Sequence, residues 1–180
     1  MMIALAVAAG VLTWSFLEYC IHRWLGHDKR TRPNFFSVEH VRHHSEGNYF
    51  APAWKKAAAA GLVFVLVGVP SVWAFGPGIG LGYVGGLTGF YLFYEVLHRR
   101  EHTHEGIGPY GRWARRHHFT HHFRDPKSNH GVTSPLFDLM FGTYRAPEKI
   151  RVPRRLQMRW LADPDSGRVH AHLQGMYELR

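Results

Sequence analysis

Three stretches of this chain contain almost no charge, and each is long enough to cross a lipid bilayer. Met1 to Ile21 carries only Glu18, Ala57 to Phe75 carries no charge, and Ile79 to Leu97 carries only Glu95. About 20 apolar residues in helical form span the hydrocarbon layer. There the backbone must satisfy its own hydrogen bonds, so segments of this length must be helices. The expected fold is an all-α integral-membrane helical bundle, one domain over residues 1–180, with spans at about 2–21, 57–75 and 79–97. A secretory leader is the rival reading of the first block. It lacks a basic leading region and a clear small-residue cleavage site, so we read it as a retained span. Pro70 predicts a kink in the second span, and Gly76-Pro77-Gly78 a tight turn after it. The spacings Gly82/Gly86 and Gly85/Gly89 predict close helix packing.

Charge fixes the expected topology. All 22 Lys and Arg lie in residues 22–56 and 98–180, outside the apolar blocks. Three spans place those two segments on one side, and their positive charge assigns that side to the cytosol. A net charge of +9 suits either nucleic acid or an anionic membrane surface. The apolar blocks favour the membrane, and the dispersed basic residues form no recognisable nucleic-acid module. The one cysteine, Cys20, excludes an internal disulfide and a cysteine-based zinc site. The Arg- and Pro-rich tail from Arg145 reads as a solvated or membrane-surface cap.

The two basic segments also hold every histidine, ten of the 15 in four groups. His118, His121 and His122 stand at i, i+3 and i+4, which puts three rings on one helical face. His40, His43 and His44 repeat the pattern, and His98 and His102 stand at i, i+4. His22 and His27 are five apart, ~140° around an ideal helix, and converge only if the helix ends or bulges near Gly26. Neutral imidazole is the commonest metal ligand among side chains. Ten are too many for one ion of coordination four to six, so two ions sharing them is the natural count. Ligand type alone leaves iron, zinc, copper and nickel open. The helix carrying the central cluster is expected after a Gly/Pro turn at Gly106 to Gly111.

Four motifs stand in order around a hydrophobic hairpin: Glu18-Tyr19-Cys20-Ile21-His22-Arg23 with His27; His40-x-x-His43-His44; Tyr94-Glu95-x-x-His98 with His102; and His117-His118-x-x-His121-His122-Phe123. Gly131-Val132-Thr133-Ser134-Pro135-Leu136-Phe137-Asp138 and Phe141-Gly142-Thr143 follow them. In this order they resemble the fatty acid hydroxylase/sterol desaturase superfamily, and most closely its fatty acid 2-hydroxylase branch. The resemblance implies a cytosolic helical cap with a histidine-rich dimetal site. Its metal ligands would be His22, His27, His40, His43, His44, His98, His102, His118, His121 and His122. Asp138 would orient a ligand imidazole, with Glu18 and Glu95 supporting the site from behind the ligands. His104, His117 and His130 fall outside the matched positions. The departures are a single membrane hairpin where relatives usually have two, and Glu95 where the family commonly has Asp.

The function so implied is O2-dependent hydroxylation or desaturation of a membrane lipid by two iron ions, with zinc a substitute as purified. The lipid would be a fatty acyl chain, a sphingolipid or a sterol. A carotenoid hydroxylase and a non-catalytic metal-binding membrane protein remain alternatives. The chain offers no haem, flavin, nicotinamide or iron–sulfur motif. A separate donor of ferredoxin or cytochrome type is therefore expected; the basic clusters, which include Arg115-Arg116 and Arg151 to Arg155, serve either to dock it or to meet anionic lipid.

Overall fold

The computed structural model describes residues 1–105 and 108–180. The helices are α1 (Met2–Cys20), α2 (Phe35–Glu46), α3 (Ala53–Val63), α4 (Val69–Thr103), α5 (Gly108–Phe123) and the short α6 (Leu136–Met140). Two strands, β1 (Ile150–Val152) and β2 (Tyr177–Leu179), pair in parallel with Ile150 opposite Tyr177. The fold is thus overwhelmingly helical, as the sequence predicts. The residues group into two compact units, Met1–Leu17 with Ala51–Glu95, and Glu18–Phe50 with Val96–Arg180.

The first unit is built from apolar helix. Met2–His27 and Ala53–Thr103 are long and apolar enough to cross a membrane, and only 22% and 6% of their most apolar windows is buried. A helix from a soluble core would be covered by protein. Here Leu62, Val65, Leu66, Trp73 and Leu92 are exposed, which suits lipid as their solvent. The fold is that of a membrane helical bundle. The long apolar segment is broken at Gly76, whose backbone (φ 77°, ψ 164°) is one that only glycine adopts readily. The predicted turn is therefore present, with Gly80 closing on the backbone of Val72. The irregularity expected at Pro70 lies just before it, as a π-helical segment over Phe64–Gly68. Proline has no N–H to return to the preceding turn, and the wider turn re-pairs the backbone there.

Close packing of α1 on α4 follows from one of the two glycine spacings. A Cβ on Gly86 would sit 2.1 Å from the Val7 carbonyl, and one on Gly10 2.1 Å from the Tyr83 carbonyl. Gly85 and Gly89 meet nothing within 4 Å. Lys56 is ion-paired with Glu95, and Trp14 packs against Tyr91 and Tyr94.

The second unit carries the histidines. α1 continues without a break into a π-helical turn over Ile21–His27. α2 starts from a capping box: the Asn34 side chain accepts from the backbone N–H of Phe36 and Ser37, and the Ser37 hydroxyl accepts from the N–H of Asn34. α5 begins at Gly108 with Pro109 in its first turn, so helix replaces the predicted turn from 108 onward; Gly106 and Ile107 lie outside the described residues.

The tail is not the solvated cap that its composition suggests. Ile150, Val152, Met158, Leu161, Val169, Leu173 and Tyr177 are buried in one core with Phe119 and Phe123 of α5. Arg115, expected in a docking cluster, is 2% exposed. Its guanidinium lies 3.9 Å from the centre of the Trp160 ring and donates to the carbonyls of His104 and Glu105. The Trp160 indole N–H in turn donates to the carbonyl of His102 at 3.0 Å.

These contacts predict opposite outcomes for neighbouring glycines. Gly86→Ala should lower the thermal midpoint of the detergent-solubilised protein by several degrees, because a Cβ at 2.1 Å from backbone forces α1 away. Gly85→Ala, in open space, should leave it within about a degree or raise it slightly through helix propensity. A thermal melt of the two variants side by side checks this.

Candidate metal centre

In the second unit the ten histidines gather into two groups of five. His22, His27, His40, His44 and His121 form one; His43, His98, His102, His118 and His122 form the other. Within each group one nitrogen per ring lies within 4.8 Å of all the others. The two groups touch, with the His44 ring stacked on that of His122 at 4.0 Å between centres.

The triplets are divided between the groups, which the shared-face reading did not anticipate. His40 and His44 serve the first group while His43 serves the second; His118 and His122 serve the second while His121 serves the first. At about 100° per residue, i+4 returns ~40° past i, whereas i+3 falls ~60° short of it. One helix can therefore send an i, i+4 pair to one centre and the residue between to its neighbour. His22 and His27 do converge, with ring centres 5.3 Å apart, because the π-helical turn brings i and i+5 onto one face.

Hydrogen bonds fix the tautomers of the key rings. The Nδ1–H of His22 donates to the His130 carbonyl at 2.6 Å, and that of His121 to the Ser128 carbonyl at 2.7 Å. Both rings then present a bare Nε2 lone pair, and those two nitrogens are 3.0 Å apart. Other facing Nε2 pairs are His27/His40 at 2.7 Å, His44/His121 at 3.2 Å, His43/His98 at 3.0 Å and His102/His118 at 3.2 Å. For His22 and His121, whose N–H groups are both committed elsewhere, two lone pairs at that distance repel unless a cation lies between them. Nitrogens ~2.1 Å from one ion and at right angles about it are ~3.0 Å apart. The donor set therefore fits two metal ions held by imidazole.

The acceptor carbonyls are themselves pinned. The Asn129 amide donates to the carbonyls of His117 and Arg145, and its oxygen accepts from the Arg145 N–H at 2.7 Å. Asp138 accepts from the backbone N–H of His130 and Gly131 at 2.8 Å each, and from the Thr143 hydroxyl at 2.7 Å. Its imidazole partner is His117 (3.3 Å), not one of the ten. Asp138 thus acts on His22 through the backbone of His130 rather than by direct contact. Burial works against its charge, but the bonds from His117, Gly131, Thr143 and His130 more than offset that and hold its carboxyl below the usual value. Glu18 accepts from the N–H and hydroxyl of Thr133, at 2.9 and 2.8 Å, and so holds the same loop from its other end. His130 is buried with its ring centre 5.3 Å from that of His121, while His104 is exposed. Ser128, Asn129 and Trp160 carry no sequence signal of their roles, because two of them act through or upon backbone carbonyls and Ser128 offers only its own.

Residues 7–143 match the fatty acid hydroxylase family. A dihydroceramide fatty acyl 2-hydroxylase of Arabidopsis thaliana is 31% identical over 149 residues, covering 78% of this chain and 61% of that protein. A ceramide very long chain fatty acid hydroxylase of Saccharomyces cerevisiae is 31% identical over 159 residues, covering 77% and 38%. The human fatty acid 2-hydroxylase is 32% identical over 152 residues, covering 78% and 39%. A solved structure of full-length scs7p, in which only the hydroxylase domain is visible, superposes with a TM-score of 0.54 at 26% identity, covering 82% of this chain and 58% of that one. This chain belongs to the fatty acid hydroxylase family, and it spans only about 38–61% of these curated relatives' length.

Burial, reinforced by neighbouring imidazoles, pushes His40, His44, His118, His121 and His122 well below the ordinary histidine range, and burial brings His130 down to about 4. These rings stay neutral in the folded chain when the unfolded chain would protonate them. Their contribution to stability is full above the unfolded value of 6.5 and is lost as pH falls below it toward 4. Each such ring steepens that loss by about 1.4 kcal/mol per pH unit. Thermal melts of the metal-free protein should be flat from pH 8 to about 7 and fall progressively below about 6.5. A midpoint that holds constant down to pH 5 would contradict buried neutral imidazoles.

Proposed function

We propose that this chain is a membrane lipid hydroxylase, an O2-dependent di-iron enzyme that hydroxylates an acyl chain of a ceramide-like or fatty acyl lipid. The observation that carries the reading is the pair of five-imidazole groups, in one of which the Nε2 lone pairs of His22 and His121 face each other at 3.0 Å with both tautomers set from behind. Family membership supplies the reaction class, and the named relatives act on fatty acyl and ceramide substrates.

In this reading His22, His27, His40, His44 and His121 hold one iron, and His43, His98, His102, His118 and His122 the other. When bound, the two irons supply the redox chemistry by which O2 is reduced and an unactivated C–H bond is hydroxylated. The protein supplies position. Backbone carbonyls orient the His22 and His121 rings, burial keeps the ligand imidazoles neutral and so able to bind, and close packing of rings excludes water. The histidine segments lie on the cytosolic side by the positive-inside rule, with the lipid bilayer delivering the substrate.

Reducing equivalents come from a separate ferredoxin- or cytochrome-type donor. Arg115 is excluded from its docking surface by burial, which leaves exposed cations such as Lys29, Arg32, Arg154 and Arg155.

The test is lipidomics of membranes expressing the protein, set against the His121→Ala form, with metal measured in iron-reconstituted samples. Wild type should yield hydroxylated acyl chains and hold about two metal ions. His121→Ala should lose product by at least 100-fold together with metal, while replacing His170 should change neither. Full activity in His121→Ala, or an unchanged lipid profile from iron-loaded wild type, would refute the proposal.

A further inference from the structure

Exposed apolar side chains are not confined to the spans. In the second unit, Trp24 and Leu25 of the π-helical turn, Val38 and Val41 of α2, and Leu139 and Met140 of α6 are 40–65% exposed. The outer face of α2 changes character along its length. Val38 and Val41 are exposed in its first two turns, and Arg42, Ser45 and Glu46 in its last; Ser37, His40 and His43 are buried. A helix surrounded by water keeps its exposed face polar throughout. One that enters a headgroup layer by its N-terminal end is graded in this way.

Both apolar surfaces are pinned to one short stretch of α1 and its continuation. The Asn34 side chain, at the start of α2, donates to the Leu25 carbonyl at 2.8 Å. Just after α6, Phe141 stacks on Tyr19 at 5.2 Å between ring centres, and the hydroxyls of Thr143 and Tyr19 are 3.1 Å apart. Tyr19 and Leu25 are only ~9 Å apart along a helix. Residues 2–21 make ~30 Å of helix, the thickness of the hydrocarbon layer, so this stretch stands where the chain enters the headgroups. Lys29 and Arg32 follow directly, exposed, and cations at that level suit lipid phosphate.

We propose that these surfaces seat the histidine unit in the membrane interface. The π-helical turn, the N-terminal half of α2 and α6 dip into the boundary between headgroups and acyl chains. Lys29 and Arg32 then meet lipid phosphates, which leaves Arg154 and Arg155 to the electron donor. The seating bears on substrate delivery. Phe36 stacks on the His40 ring at 5.4 Å between centres, so acyl chains lying against α2 are one helix width, ~10 Å, from the first group of imidazoles. A lipid carbon reaches that group without crossing bulk water. The seating presupposes that α1 spans the bilayer, and it needs no metal.

Site-directed spin labelling of the full-length protein in phospholipid nanodiscs tests it. On a Cys20→Ser background, single cysteines replace Val38, Leu139, Ser45 and Leu12 in turn. Power saturation then compares collisions with O2, which concentrates in lipid, and with a water-soluble nickel chelate. The ratio of O2 to nickel collisions at Val38→Cys and Leu139→Cys should exceed that at Ser45→Cys, on the polar end of α2, several-fold. Nickel access at Val38→Cys equal to that at Ser45→Cys overturns the proposal. So do labels shielded from both reagents and broadened by spin–spin coupling, which would put a second copy of this chain on these surfaces. Leu12, exposed on α1, reports the span itself. A Leu12→Cys label open to nickel would instead overturn the membrane reading of α1 on which the seating stands.

Discussion

Everything in the second unit answers one electrostatic problem, the confrontation of bare imidazole lone pairs. His22 and His121 have committed their only N–H groups to carbonyls, yet their Nε2 atoms face each other at 3.0 Å. No tautomer relieves that contact while both carbonyl bonds stand. Protonating one ring would, but burial and the neighbouring rings hold His121 well below the ordinary histidine range. A shared metal cation relieves it without either cost, because it needs the neutral rings that burial enforces. The burial that keeps these rings neutral is thus also what would suit them to hold a metal.

Backbone geometry turns this local demand into an architecture. Each H-x-x-H-H triplet sends its i, i+4 pair to one centre and its middle residue to the other, so α2 and α5 each contribute to both. That sharing keeps the centres adjacent, with His44 stacked on His122 between them. The π-helical turn over Ile21–His27 brings two imidazoles of one helix, five residues apart, onto the same face, which a regular α-helix would not do. The tail then covers the outer face of α5. It stacks Trp160 under Arg115 and ties the indole to the His102 carbonyl, so a segment beyond the family match at residue 143 braces a histidine inside it.

Much of this was legible in the residues. The uncharged blocks announced membrane helix, Gly76-Pro77 announced the break, and the five-residue spacing of His22 and His27 announced that the helix must end or bulge if those rings were to converge. The division of the triplets was not legible, because sharing a face and sharing a centre look identical in one dimension. Nor was the tail: its strands are three residues long, and its core residues are scattered among Arg and Pro with no sustained period. Arg115 read as a surface charge because an arginine's burial depends on partners distant in sequence, here an indole 45 residues on. The carbonyls of Ser128 and His130 have no sequence signature at all. Asp138 was marked out by its motif, yet its reach to the backbone of His130 and Gly131 appears only in three dimensions.

The central claim, two metal ions bound by imidazole alone among protein side chains, is tested most directly by X-ray absorption at the iron edge of the loaded protein. The account predicts a nitrogen-dominated inner shell with strong outer-shell scattering from imidazole rings, and loss of part of that scattering in His121→Ala. An inner shell dominated by carboxylate oxygen, or a spectrum without imidazole scattering, would contradict it.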